Sequence, residues 1–195
     1  MVVETPTRQY SREEYLASEE TAEYRSEYRN GEIVPMTGAS LNHNQIIINL
    51  IIAITLAMRE QNHFVYTSDL RLWIPRYREY TYPDILIIQG EPVFEEGRTD
   101  TVLNPSIIFE VLSKSTSGRD RGDKFRYYRS IPEFKEYILI DQYQINIEHF
   151  SKTSAGDWLL HESDDAEGIL TLTSVNCQIP HRQIYERVQF ENTPV

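Results

Sequence analysis

Hydrophobic positions change their spacing several times along this chain, and each change predicts an element. Ser11 followed three positions later by Glu14 has the form of a capping box, which predicts a short helix through about residue 18. In EYRNGEIVPM two strand-like runs flank Asn30-Gly31, a pair that tolerates positive φ at both central turn positions, so a β-hairpin is expected. Between residues 41 and 61, Ile46, Ile47, Leu50, Ile51, Ile54, Ala57 and Met58 recur at helical spacing and predict a long amphipathic helix packed on a sheet.

Three β-rich segments follow: VYTSDLRLWIP, the ILII run after Pro83-Asp84, and SIIFEVLS ending at Ser113. A polar, glycine-containing loop over residues 89–104 separates the last two. A second helix is expected over residues 120–129, ended by Ile131-Pro132 because the residue before proline avoids helical geometry. EYILID and QINIEHF read as a strand pair, and DWLLHE and ILTLTSV as tail strands that extend or cover the sheet. No repeat or Pro/Gly/Ser-rich linker divides the chain. The expectation is one α/β (α+β) domain over residues 1–195, with a mixed central β-sheet flanked by helices and an N-terminal β-hairpin.

Composition narrows the function classes. With 40% hydrophobic residues in 195, one substantial core is affordable. The net charge of -11 argues against a protein coated non-specifically in nucleic acid, since phosphate affinity comes mainly from Lys and Arg. Cys177 is the one cysteine, which excludes an internal disulfide and a cysteine-based zinc site. The N-terminus lacks a secretory pattern, and the apolar run from Ile46 to Met58 is too short for a bilayer of about 30 Å. A cytoplasmic protein without membrane contact is expected.

Two carboxylates stand out. Asp84 opens the ILII strand, and Glu110 sits inside the apolar strand IIFEVL, where a carboxylate is costly unless paired or metal-bound. Together they suit one Mg²⁺ (or Mn²⁺), which takes oxygen ligands, with the Val111 carbonyl as a third. The pattern resembles the PD-(D/E)xK nucleases: YPDILII supplies the Pro-Asp and IFEVLS the Glu, while Leu112 stands where that superfamily has lysine. The longer stretch EVLSKSTSGRDRGDKFRYYRSIPEFKEYILID is similar to the Uma-type branch of restriction-endonuclease-like proteins, a domain of unknown function. That likeness runs through GEIVPM, His43, Pro83-Asp84, residues 110–113 and the Asp120, Lys124, Tyr128 series, about two-thirds of the chain.

The resemblance implies a restriction-endonuclease-like fold, and it implies that Lys124 on the following helix replaces the missing lysine. Asp120, Lys124 and Tyr128 are spaced i, i+4, i+8 and share one helix face. The plainer reading is that Asp120 and Asp123 cap the helix while Lys124 forms a surface pair. Lys114, four residues after Glu110, is the rival lysine. Glu32 or Glu27 supplies an additional acid, or is merely solvated; His43 positions a phosphate or water, or packs at the helix start. Trp73 and Trp158 read as core residues. Lys114, Arg119, Arg121, Lys124, Arg126 and Arg129, with Arg71, Arg76 and Arg78, are expected to form a basic groove. The function expected is a Mg²⁺-dependent endonuclease acting on DNA, as a homodimer. The alternative is a catalytically degenerate nuclease fold that serves as a nucleic-acid-binding or dimeric interaction module, with an interface near Trp158.

Overall fold

The computed structural model describes residues 8–190, so the two ends of the expected domain, 1–7 and 191–195, lie outside it. Helix α1 (Arg12–Glu19) opens with both halves of the capping box: Ser11 Oγ accepts from the Glu14 amide at 3.1 Å and Glu14 Oε2 from the Ser11 amide at 2.7 Å. Strands β1 (Ser26–Arg29) and β2 (Glu32–Pro35) form the expected hairpin, with Asn30 at φ 46° and Gly31 at φ 105°. Helix α2 (Leu41–Ala57) is capped by Ser40 and ends four residues short of the expected boundary. It buries Ile46, Leu50 and Ile54 completely, each contributing roughly 1.5–3 kcal/mol of transfer free energy.

The segment VYTSDLRLWIP is not one strand. It divides at a turn into β3 (His63–Thr67) and β4 (Arg71–Ile74), which belong to different sheets. After β5 (Glu79–Thr81) the chain passes through Tyr82, Pro83 and Asp84 into β6 (Ile85–Gln89), and so crosses back between those sheets. The expected 89–104 loop carries the two-residue β7 (Thr101–Val102), which pairs in parallel with β4. Then come β8 (Ile107–Leu112), the helical segment 117–128, β9 (Glu136–Asp141), β10 (Ile147–Lys152), β11 (Trp158–Ser163), the β12 (Ile169–Leu172) and β13 (Cys177–Pro180) hairpin, and α3 (His181–Ile184).

The larger sheet is mixed, in the order β11-β10-β9-β8-β6-β3, with β8 and β9 parallel and its other neighbours antiparallel. The second sheet runs β2-β1-β5-β4-β7. On one face of the larger sheet, α2 and the β12–β13 hairpin cover Ile85, Ile87, Phe109 and Val111. On the other, Tyr128 packs with Leu86, Ile108, Leu112 and Leu139. This alternation is that of strands buried on both sides. Trp73 and Trp158 both pack internally, Trp73 stacked on Tyr80 at 4.1 Å and Trp158 against Phe125 and Phe134. Among the described residues no helix is long and apolar enough to cross a membrane.

Candidate active site

Asp84 lies in the link between the two sheets, immediately before β6, and Glu110 lies on β8. The antiparallel register Ile85↔Phe109, extended by one step, sets Asp84 opposite Glu110. Directly opposed residues put their side chains on the same face with Cβ atoms about 4.5–5.5 Å apart. Both carboxylates line a cleft of about 530 Å³ that opens between the sheets.

Each carboxylate is held by one oxygen. Asp84 Oδ2 accepts from the Val111 amide at 2.7 Å and sits 3.2 Å from His43 Nε2. Glu110 Oε1 accepts from Lys124 Nζ at 3.0 Å and from the Tyr128 hydroxyl at 2.7 Å. Among the described residues, neither Asp84 Oδ1 nor Glu110 Oε2 has a hydrogen-bond donor. The donor set therefore suits a hard divalent cation, which takes one or two carboxylates and completes its shell with water and phosphate oxygens. No group of three or more His, Cys, Asp or Glu side chains is assembled for a metal among the described residues. Val111 contributes its amide to Asp84.

Lys124 reaches the site from an irregular helix. An α-turn (Ser117–Arg119) leads into a π-turn (Asp120–Lys124) and back to an α-turn (Phe125–Tyr128). Single π-turns within α-helices are rare and occur frequently at functional sites. Asp120, Lys124 and Tyr128 are all buried, and Lys124 Nζ lies 3.0 Å from Glu110, 3.2 Å from Asp120 and 4.0 Å from Glu27. The capping reading thus fails for Asp120, which is inside the helical segment and only 2% exposed; Asp123 pairs with Arg126 on the surface. Leu112, on the face of β8 that carries Glu110, is buried under that segment among Tyr128, Tyr137 and Leu139. A lysine there would be trapped in apolar packing, and the segment covering the strand supplies the ammonium instead.

Burial raises the Glu110 carboxyl far above the ordinary range; Lys124 opposes this, while Asp120 and Asp84 add to it. Burial alone would lower Lys124, but Glu110, Asp120 and Glu27 hold its ammonium well above the usual lysine value. The cluster keeps its single buried cation charged and leaves the carboxylates short of positive charge.

Glu27, not Glu32, is the additional acid that the fold brings to this cluster. Glu32 is exposed on β2, whereas Glu27 is 6% exposed and lines the cleft. Thr81 bonds Glu27 from across the β1–β5 pair, and Arg29 and Arg119 lie at 2.7 and 3.6 Å. Burial would raise Glu27, but Lys124, Arg119, Thr81 and Arg29 hold it at about 2. Arg119 also grips the buried Glu79, whose carboxyl burial pushes up to about 7 against the pull of Arg119. No short-range spacing signals most of this network, because Thr81 meets Glu27 across 54 positions and Arg119 meets Glu79 across 40. His43 is at the site, with Nδ1 buried and without a hydrogen-bond partner. Lys114 is exposed and is not among the partners of Glu110.

The expected basic groove forms only in part: Arg76 and Arg126 lie exposed over the stacked rings of Tyr77 and Tyr127, while other members are paired off within the fold. Arg71 is buried on Asp100, Arg119 is half-buried between Glu27 and Glu79, and Arg121 pairs with Glu148. Opposite charges brought together by the fold neutralise what looks basic in the linear sequence.

Residues 12–179 match the model of the Uma2 family, described as "Putative restriction endonuclease". Two uncharacterised proteins of Synechocystis sp. are similar: sll1609 is 43% identical over 83% of this chain and 92% of its own length, and slr1290 is 30% identical over 97% and 100%. A solved structure from Anabaena variabilis, titled a putative nuclease belonging to DUF820, superposes with a TM-score of 0.70 over 84% of this chain and 91% of that one. At 16% identity that likeness speaks for the fold. With a family match over most of its length, this chain belongs to the Uma2 family, described as putative restriction endonucleases.

Proposed function

We propose that this protein is a divalent-metal-dependent endonuclease that hydrolyses phosphodiester bonds in DNA. The observation that carries the reading is the pair Asp84 and Glu110, opposed across two strands, each with one oxygen lacking a protein donor, beside the Lys124 ammonium. These two carboxylates, with the Val111 carbonyl, would hold Mg²⁺ or Mn²⁺, which when bound supplies Lewis-acid activation of the phosphodiester and of a water. His43 and the Val111 amide fix Asp84, and Tyr128 fixes Glu110, so both ligands are oriented before substrate arrives. Lys124, desolvated and fully charged, compensates negative charge that builds on the phosphoryl oxygens. Water forms the new bond to phosphorus as the bond to the leaving oxygen breaks. The free thiol Cys177 is buried among apolar residues and takes no part; it fits the reducing cytoplasm.

Lys124 at Glu110 favours an active centre over a degenerate one, since the group missing at Leu112 is replaced from the helix. For the homodimer we favour α2 over the edge strand β11, where Trp158 packs internally while Leu159 and Leu160 are exposed. Ile48, Ile52 and Leu56 are more than half exposed at four-residue intervals, and residues 41–57 contain no charged side chain. In a protein of net charge -11, copies approach with least repulsion at an uncharged face, and a stripe symmetric about Ile52 pairs with itself across a two-fold axis.

The test is cleavage of supercoiled plasmid and labelled single strands with Mg²⁺ or Mn²⁺, beside Asp84→Ala, Glu110→Ala and Lys124→Ala. Metal-dependent cutting lost in all three is expected; cutting that survives Asp84→Ala discards this site.

A further inference from the structure

Every cation lining the cleft is already matched to a carboxylate. Lys124 is held by Glu110 and Asp120, Arg119 by Glu79 and Glu27, and Arg29 by Glu27. Charge-driven binding of a duplex needs many free Lys and Arg contacts, and this cleft offers none from its interior.

Its mouth differs. Lys114 is exposed between the cleft-lining Ser113 and Ser115 and has no ion-pair partner among the described residues. Its Nζ lies 5.3 Å from the centroid of the Tyr143 ring, and Tyr143 lines the cleft while 45% exposed. The turn that carries Tyr143 is pinned: its amide donates to Asp141 Oδ1 at 2.7 Å, and the buried Gln142 beside it donates to the Leu112 carbonyl at 2.7 Å and bonds Ser40. A fixed aromatic ring, half bare to solvent, thus stands with an unpaired ammonium at the entrance to the carboxylate pair.

We propose that Tyr143 and Lys114 form a strand-holding element: one unstacked base lies on the Tyr143 ring, and the Lys114 ammonium swings from the ring to the adjoining phosphate. The proposal rests on the nuclease reading and deepens it by naming a substrate class, nucleic acid with an unpaired segment rather than continuous duplex. A base reaches an aromatic face only when it is out of its own stack, and such stacking is indifferent to sequence because every base has a π-face.

The test is fluorescence anisotropy with a labelled single strand, the same strand carrying abasic positions, and the matching duplex, in Ca²⁺, using the full chain. Tyr143→Ala is expected to weaken single-strand binding roughly tenfold to a hundredfold, the range for losing one base–aromatic stack, while Tyr143→Phe binds like wild type. Lys114→Ala is expected to reduce the slope of log K against log salt by about 0.7, one phosphate contact on a single strand. The abasic strand should bind wild type and Tyr143→Ala alike. Both side chains are exposed, and matching thermal melts will verify that the variants fold. Tyr143→Ala binding single strands as wild type does, or losing equal affinity for duplex, overturns the proposal. A wild type that cuts without any preference for unpaired strands overturns the strand-holding role and leaves the nuclease reading standing; one that neither binds nor cuts nucleic acid overturns both.

Discussion

Replacing Lys124 by methionine nearly keeps the side chain's length and removes its charge, and so tests what the ammonium does in the fold. Lys124 Nζ stands within 4.0 Å of three buried carboxylates, Glu110, Asp120 and Glu27. Removing one partner of a buried ion pair typically costs about 3–5 kcal/mol, because the remaining charge is left uncompensated. Here the loss depends on pH. Burial already raises Glu110, and without Lys124 it rises further, so the native variant keeps a proton that the unfolded chain sheds above about pH 4.5. Wild type keeps the same proton until its own raised Glu110 ionises, so the two stability curves run parallel up to that point and part above it, by up to ~1.4 kcal/mol per pH unit for one proton. Urea unfolding near pH 7 and again near pH 10 should show a deficit against wild type that widens at the higher value to about 3 kcal/mol. Divalent cation should narrow the deficit at high pH, since a cation bound only by the native state stabilises it by mass action. Equal stability of variant and wild type at both pH values would refute the view that the ammonium neutralises this cluster.

Two further outcomes follow from the structure. Glu136 is fully buried and accepts from His149, the Thr173 amide, and the amide and hydroxyl of Ser174. Burial would raise it, but these bonds hold its carboxyl below the usual range, so its stabilisation is present above the unfolded value of 4.5 and is lost as pH falls below that. Glu136→Gln should flatten the acid limb of an unfolding-versus-pH curve and lower stability near neutral pH by about 1–3 kcal/mol; an unchanged acid limb would show that Glu136 is not held ionised. Ile52→Glu sets two like charges face to face in the proposed α2 pairing and should shift sedimentation to the monomer with the thermal melt unchanged; undisturbed self-association would move the interface elsewhere.

The elements most legible in the sequence are those whose physics is local. The Ser11–Glu14 box, the Asn30-Gly31 turn and the buried stripe of α2 each depend on residues within one or two turns of one another, and the structure contains all three. Asp84 and Glu110 stood out because a carboxylate bordering or interrupting an apolar strand needs a compensating partner wherever the strand ends up. The Lys124 register came through a resemblance, and the helical segment delivers it even though a π-turn alters the regular spacing. Tertiary structure alone decided the rest. The division of VYTSDLRLWIP between two sheets depends on which neighbours pair with each half, and a hydrophobic pattern is the same for either partner. Glu27 displaced Glu32 because β1 pairs with β5 and its middle residues face inward, while Glu32 begins an exposed edge strand. The apparent basic groove lost Arg71 and Arg119 because an arginine drawn into the fold is tolerable only against a carboxylate, and these find theirs 29 and 40 positions away. Local backbone preference acts over a few residues and can be read in order. Charge compensation is set by proximity in space, so it exists only once the sheets have closed around Glu110.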